Sequence, residues 1–554
     1  MAAGSLALGG TAAVFSGQAD QAAAAAVTAQ VRTLRASTRP NLLVITADDM
    51  RADDLRWMPR TRHLLADRGL SFRNSFATTP LCAPSRASFL TARYTHNHQV
   101  LSAWDPYGFA VFDDSSTLAT RLRAAGYRTG LVGKYINGYG EMPTFGDHHS
   151  SVRYVPPGWA QWWGSCDRKW SPGQWPGGYT YDYMHLTSNV NGRIHTWPGQ
   201  YTTDVTSHQT QHLIRAFGKA SPTKPWFLWW TPVAPHAGPP REPDDPGTVN
   251  RSDGVPVHYS TPARPAWVKH RFDAVLTHGA GTPPVQDPEA DVSDKPLYIR
   301  QIPLMTGVER RAERDVTRQR AEALYVLDVR IGDTLKALAD SGQAARTIVV
   351  ITSDNGYYLG EHRKRKFKIT LHEPSIRVPL IMAGPGIPHG VRYDPVTVED
   401  LAATLAGWAG TTLRNADGHS LRGTIANGDQ GWTRPVVLEA QMLESEYANG
   451  TVDLDTMRGL TTGGLRTGRY AMIRYTTGET ELYDLATDPL ELDSLNGPQY
   501  DELRQLLLDT WRHYAGCSGS QCQAPLPASL QTGPAANREI TVDQDQARHS
   551  YYQY

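Results

Sequence analysis

The chain has 554 residues, with 55 Lys and Arg against 55 Asp and Glu. That balance gives no electrostatic basis for a nucleic-acid or anionic-membrane partner, and past the N-terminal segment no apolar run is long enough to span a bilayer. The length allows a large buried core plus a smaller unit, and 15 Trp and 25 Tyr against 11 Phe is a mix useful where a face must be both flat and wet, although most of these residues are expected to be large rigid core residues.

Residues 1–37 differ from the rest. "MAAGSLALGGTAAVFSGQADQAAAAAVTAQ" is small and Ala-rich, with A-x-A sites; it is similar to the tail of a secretory signal but lacks a basic start. The expectation is an exported protein, secreted or in the cell envelope, with this stretch either a signal whose true start lies elsewhere or a disordered leader. "RPNLLVITADDM" (39–50) is a continuous apolar run ending in two acids, the pattern of a parallel strand buried on both faces. "GYRTGLVGKY" (126–135), "PWFLWWTPVAPH" (225–236) and "ARTIVVITSDNG" (345–356) have the same form. Helical patterns lie between them. "PRTRHLLADRG" is expected to end with Gly69 as its cap and "SSTLATRLRAAG" with Gly126. "ERDVTRQRAEALYVLDVRIGDTLKALADSG" reads as a long amphipathic helix with its charge mostly on a solvated face.

This alternation predicts an α/β fold with a central, mainly parallel sheet. Residues 154–201 carry an aromatic cluster, Trp159, Trp162, Trp163, Trp170, Trp175, Tyr179, Tyr181, Tyr183 and Trp197, readable as a sugar platform or as a local hydrophobic cluster. Residues 236–300 are rich in Pro, Gly and Asp, the composition of a lid, a binding insertion or a disordered segment. After about residue 430 short alternating runs around Tyr470–Tyr475 and Glu481–Leu485 predict antiparallel pairing in a smaller α+β domain. The expected division is a leader at 1–37, a catalytic domain at 38–428, a small domain at 429–525 and a tail at 526–554. Cys517 and Cys522, separated by Gly, Ser and Gln, are candidates for a local disulfide.

In open parallel sheets ligands bind beyond the C-terminal strand ends. Here those ends carry Asp48, Asp49, Lys134, His236, Asp354 and Asn355. Packed carboxylates need a cation, and an oxygen-only donor set suits Ca²⁺, or less well Mg²⁺; no His and Cys spacing fits Zn²⁺. Cys82 precedes Pro84 and a helical sequence, which puts it at a helix N-terminus where an anion is favoured, with Arg86 one turn on. Lys134 and Lys368 could hold the oxygens of a tetrahedral anion, and His236 could protonate a leaving oxygen. The residues alone therefore support a metal-assisted hydrolase of an anionic ester.

"CAPSR" at 82–86 resembles the C-x-P-S-R sequence of type I sulfatases, and "TADDM", "GKY", "PVAPH", "TSDNGYYLGEH", "KITLHEPSIRVPLI" and "ELYDLATDPLE" follow in family order. "GKYINGYG", "PPGWAQWW", "YTTDVTSH", "YIRQIPLMT" and "CSGSQCQAP" are similar to the N-acetylglucosamine-6-sulfatase branch. The resemblance implies an alkaline-phosphatase-like large domain with a small C-terminal domain. It implies a Ca²⁺ held by Asp48, Asp49, Asp354, Asn355 and Cys82, with Cys82 converted to formylglycine by a formylglycine-generating enzyme. Arg86 and Lys134 would stabilise the hydrated aldehyde, and Lys368 and His236 would bind sulfate and assist the leaving alcohol. The expected substrate is a sulfated carbohydrate or an aryl sulfate. A phosphonate or phosphate ester hydrolase of the same fold and a non-catalytic polysaccharide-binding protein are the alternatives. The sequence departs from the family at Ile136 and Asn137, where a His often follows the first catalytic Lys, and at His372, where Tyr is usual.

Overall fold

A computed structural model of the chain describes residues 39–104, 106–167, 178–284, 289–365, 367–441 and 461–552. The expected leader therefore lies outside the described residues, as do Trp170 and Trp175. The main sheet has strands β1 (Asn41–Ala47), β2 (Leu70–Phe72), β3 (Arg128–Gly133), β4 (Gln161–Ser165), β5 (His185–Val190), β6 (Arg193–Pro198), β7 (Trp226–Thr231), β8 (Thr347–Ser353), β9 (Leu380–Ala383) and β10 (Gly390–Arg392). Their order is β10-β2-β9-β8-β1-β7-β3-β4-β5-β6. The centre, from β8 through β1, β7 and β3 to β4, is parallel. Beyond it, β9 pairs antiparallel with β8 and β2, and β5 with β4 and β6.

The four apolar runs are the four adjacent central strands, and every residue of β1, β7 and β8 is buried. Alternate residues feed two cores. Leu42, Val44, Leu131, Phe227, Trp229, Ile348 and Val350 pack with helices α1 (Cys82–Thr91), α2 (Leu118–Ala124) and α5 (Val398–Trp408). Leu43, Ile45, Val132, Leu228, Trp230, Val349 and Ile351 pack with α3 (Thr202–Ala220) and α4 (Gly307–Asp340). Each such side chain contributes about 1.5–3 kcal/mol by leaving water, which fixes the register of the sheet and so the relative positions of its strand ends. No helix among the described residues is long and apolar enough to cross a membrane.

The C-terminal part forms a second sheet of β11 (Val436–Gln441), β12 (Thr461–Arg466), β13 (Tyr470–Tyr475) and β14 (Thr480–Asp484), antiparallel throughout, as the alternation predicts. Helix α6 (Asp501–Tyr514) covers it, and Cys517 is bonded to Cys522. The residues expected to form a tail include helix α7 (Pro534–Tyr552), which folds back onto the large sheet's domain. Arg548 donates to Glu373 (2.9 Å), Asn74 to Thr541 (2.9 Å), and the Arg51 guanidinium lies 5.0 Å from the Tyr552 ring.

Other expectations need correction. Gly69 does not close its helix in the left-handed conformation; a Cβ there would lie 2.2 Å from the Met382 carbonyl, so its role is close backbone approach to β9. Gly126, with φ of 89°, does cap α2. Helix α4 keeps most of its charged residues at least partly exposed, as expected, but Glu309, Glu313, Arg320, Glu322 and Asp328 are buried, with Arg365 donating to Glu309, Arg264 to Glu322, and the Arg60 and Thr61 amides to Asp328. The stretch 236–300 contributes a hairpin, Gly247–Asn250 with Pro256–Tyr259, packed on α4.

Gly133 ends β3 with φ of 105°, and a Cβ there would stand 2.3 Å from the Thr231 carbonyl oxygen. Only glycine lets the chain leave the sheet here and turn Lys134 inward. A Gly133→Ala variant is expected to lose about 1–3 kcal/mol, read as a lowered thermal-unfolding midpoint; an unchanged midpoint would contradict this account of the turn.

Candidate active site

The strand ends and one helix N-terminus meet at a single buried cluster. Continuity of β1 with β8 brings Asp48 and Asp49 beside Asp354 and Asn355, because Ala47 and Ser353 are in register. The Asp49 amide donates to Asp354 Oδ1 (3.1 Å), and Asn355 Nδ2 donates to Asp49 Oδ1 (2.7 Å). The turn that allows this puts Asp49 at φ of 67°, a strained setting for a residue that is not glycine.

Cys82 is the first residue of α1, with Leu81 as the extended cap. Its Sγ lies 3.3 Å from Asp48 Oδ1 and 2.8 Å from Lys368 Nζ. Arg86, one turn on, donates through Nε to Asp354 Oδ2 (2.8 Å) and through Nη1 to the Lys134 carbonyl (2.9 Å). Lys134 Nζ pairs with Asp48 Oδ2 at 2.7 Å, and Lys368 Nζ pairs with Asp49. His236, past the end of β7, donates Nδ1–H to the Ala237 carbonyl (2.6 Å), leaving Nε2 to face Asp49 Oδ2 at 3.8 Å. All the residues singled out from the sequence are thus brought together.

The charges decide the ionisation. Burial opposes the Asp48 anion, yet Lys134, His236, Arg86 and Lys368 together hold it well below the ordinary carboxylate range. Asp49 is also lowered against burial, chiefly by Lys368. Asp354 goes the other way: burial and then Asp48 raise it, although Arg86 is bonded to it. Burial and then Asp48 also push the Cys82 thiol far up, which favours the protonated form over the nucleophilic thiolate. His236 is lowered by burial, against the pull of Asp49 and Asp48.

The donor chemistry fits a hard cation. Ligand atoms of Asp48, Asp49, Cys82 and His236 lie within 4.8 Å of one another. Asp354 is under-compensated, and the buried Oδ1 of Asn355 has no hydrogen-bond partner among the described residues. Carboxylate and amide oxygens of this kind suit a divalent ion.

Two groups in the site are not among the site residues expected from the sequence, although Tyr181 belongs to the aromatic cluster read as a sugar platform or a local hydrophobic cluster. Tyr181, from the aromatic stretch, lies with its ring 4.5 Å from that of His236 and 4.9 Å from Lys134 Nζ, and its hydroxyl accepts from Asn137 Nδ2 (2.6 Å). Its neighbours Trp159, Trp162 and Tyr183 are core residues, so the platform reading does not hold for them. Arg320 of α4 donates to the Asp49 carbonyl and pairs with Asp54 (3.4 Å). The signal was present: Arg320 shares the helical spacing of buried Val316, Leu324 and Leu327.

Comparison with known proteins places the chain beside sulfatases. Over 524 residues the chain is 29% identical to an arylsulfatase of Volvox carteri, covering 88% of this chain and 76% of that one. It is 25% identical over 530 residues to an N-acetylglucosamine-6-sulfatase of Capra hircus, covering 89% and 86%. In three dimensions it resembles BT4656 solved with its substrate D-glucosamine-2-N,6-O-disulfate, with a TM-score of 0.62 at 19% identity over 88% of this chain and 98% of that one. The fold is alkaline-phosphatase-like. The model of the N-sulphoglucosamine sulphohydrolase C-terminal region matches residues 360–514, and the sulfatase family model matches residues 40–411. This chain therefore belongs to the sulfatase family, enzymes that hydrolyse sulfate esters with a metal ion and a formylglycine.

Proposed function

We propose that this chain is an exported sulfatase that removes sulfate from a sulfated sugar, through a formylglycine formed from Cys82 and a Ca²⁺ held by Asp48, Asp49, Asp354, Asn355 and residue 82. The observation that carries this is the placement of Cys82: at a helix N-terminus, against Asp48 and Lys368, and as a thiol that burial keeps protonated. Such a side chain is poorly suited to act as it is and well placed to act once converted. When present, the hydrated aldehyde supplies a hydroxyl nucleophile and a diol that can expel sulfate, and Ca²⁺ draws charge from the sulfate oxygens.

The chain's own residues account for the rest. Lys134 and Lys368, both raised by the acids they face against the effect of burial, stay charged and serve the peripheral sulfate oxygens. Arg86 ties residue 82's helix to Asp354 and to the Lys134 backbone, so nucleophile, metal site and cation move as one unit. With Nδ1–H of His236 committed to the Ala237 carbonyl, the proton for the departing sugar oxygen is the Nε2–H of the imidazolium, the form that Asp49 and Asp48 favour and burial opposes. The half-buried Tyr181 ring beside His236 offers a flat face to a sugar. A sulfated glucosamine is supported as the substrate class by the N-acetylglucosamine-6-sulfatase among the relatives and by the substrate named for BT4656. Export is supported by the Cys517–Cys522 bond and the signal-like leader.

Mass spectrometry of the peptide carrying residue 82, from the native host, should find the aldehyde; a thiol throughout would remove the mechanism. Cys82→Ala should lose roughly 10³-fold or more of kcat on an aryl sulfate. Sulfate monoesters should be turned over faster than phosphonate or phosphate esters, and the reverse order would favour the phosphoryl reading.

Ca²⁺ at 100 times its Kd should stabilise the fold by about 2.7 kcal/mol, seen as a raised melting temperature that EDTA reverses. Asp354→Asn should abolish that shift, and a full shift in the variant would exclude Asp354 as a ligand.

Tyr181→Leu, which removes the face against His236 and Lys134, should lower kcat/KM about 10-fold or more. Tyr181→Phe keeps the ring and should stay within about 3-fold of wild type. Equal losses would place the role in the hydroxyl and its Asn137 bond.

A further inference from the structure

Lys368 stands on an unusual segment of backbone. Its neighbours Phe367 and Ile369 have φ of 133° and 83°. For a β-branched residue such as Ile this is a genuine outlier, and it persists only where the surroundings hold it. At the tip, the Ile369 amide donates to the Pro80 carbonyl (3.2 Å), which joins the Lys368 segment to the Cys82 segment. Beside Lys368, the Tyr358 amide donates to the Phe367 carbonyl (2.7 Å), and a further hold comes from the base.

There, Lys364 reaches across the loop. Its Nζ donates to Thr370 Oγ1 and lies 3.2 Å from His372 Nδ1, so both ends of the 364–372 segment are fastened to each other. Tyr358 adds to the fastening: its hydroxyl accepts from Thr370 Oγ1 (2.8 Å) and lies 3.1 Å from His372 Nδ1. The other ring nitrogen, His372 Nε2, is 2.9 Å from Glu481 Oε2 on β14 of the C-terminal sheet. The hydroxyls of Tyr475 and Tyr483 also donate to that carboxylate. His372, Glu481, Tyr475 and Tyr358 are fully buried. Burial and then Lys364 lower His372 to about 3, so the ring is neutral, with Nε2–H donating to Glu481 and Nδ1 accepting. Every group in the chain thus has at least one buried polar partner, the condition under which a buried polar network fixes geometry.

We propose that Lys364, His372 and Glu481 are positioning residues: a staple that anchors the Lys368 loop to the C-terminal sheet and presents the Lys368 ammonium to residue 82 and Asp49. This rests on the sulfatase reading of Lys368 given above. A core network without this role would affect stability alone.

A double-mutant cycle separates the two. Lys364→Met is expected to lower kcat/KM on an aryl sulfate about 10-fold, and by less than about 2-fold when Lys368 is already Met, because its effect passes through Lys368. Hydrogen exchange should quicken in residues 364–372 and stay unchanged in the central strands. Should Lys364→Met fail to fold, Tyr475→Phe and Glu481→Gln, which weaken the anchor by one bond each, are read in the same way with smaller losses. Equal losses in both Lys368 backgrounds, or unchanged exchange in 364–372, would overturn the proposal. A wild-type enzyme without sulfatase activity would instead overturn the functional reading, and the exchange measurement would still decide on the staple.

Discussion

Three carboxylates, Asp48, Asp49 and Asp354, sit within one buried cluster, and the rest of the structure is arranged around keeping them charged. Removing an ion from water costs several kcal/mol even after relaxation. Two like charges 4 Å apart repel by about 4 kcal/mol at an effective dielectric constant of about 20. Each acid therefore needs more than one cation. Asp48 has Lys134 at 2.7 Å and Arg86 at 4.0 Å, and Asp49 has Lys368, which explains why both are lowered despite burial. Asp354 has a charge-assisted bond from Arg86 and is still raised. The deficit is local, and the next residue, Asn355, has a buried oxygen with no hydrogen-bond partner among the described residues. The divalent cation proposed above would answer it.

Holding such a cluster requires backbone that sequence propensity would not choose. Asp49, Gly133, Phe367 and Ile369 all have positive φ, and each immediately precedes, follows or is itself a residue of the cluster. Strain of this kind is stable only when rigid elements fix both sides of it. The parallel strands supply one side, since their register is set by two apolar cores packed on opposite faces. Helix α1 supplies the second, with Arg86 bonded to two different strand ends. The C-terminal sheet supplies the third, through His372 and Glu481.

The legible part of this was whatever the sheet buries on both faces. β1, β7 and β8 read as strands because each has an unbroken apolar centre, Leu42–Ile45, Trp226–Trp230 and Ile348–Ile351, so the acids and His that follow each run mark the site. Cys82 and Arg86 were legible because helix geometry places i and i+4 on one face. Lys368 was not separable from its neighbours in "HRKRKFK" by composition; what distinguishes it is the loop that aims it. Arg320 was hidden because a charged residue in an amphipathic pattern reads as solvated, whereas here the Asp49 carbonyl and Asp54 satisfy it inside. Helix α7 gave little apolar signal because its buried face includes Asn537, Thr541 and Gln544. Tyr181 could not be separated by composition from the other aromatics of 154–201, of which Trp159, Trp162 and Tyr183 are core.

The contacts of the C-terminal sheet argue against treating it as an appendage. Val436, Leu438, Leu465, Met472, Ile473 and Leu482 belong to the same apolar cluster as Leu42 and Val350 at the centre of the large sheet. Arg466 of β12 donates to Glu373 (2.9 Å), and Glu373 also takes Arg548 from α7. Glu373 directly follows His372, so one short segment is gripped by the second sheet, by the last helix and by the Lys364 side chain. Four residues upstream of that segment is Lys368. A cut between the two sheets would expose the shared apolar face and would release the segment that carries a site cation. On these contacts the two sheets form one functional unit, and the boundary visible as a change of sequence style is not a boundary in the chemistry.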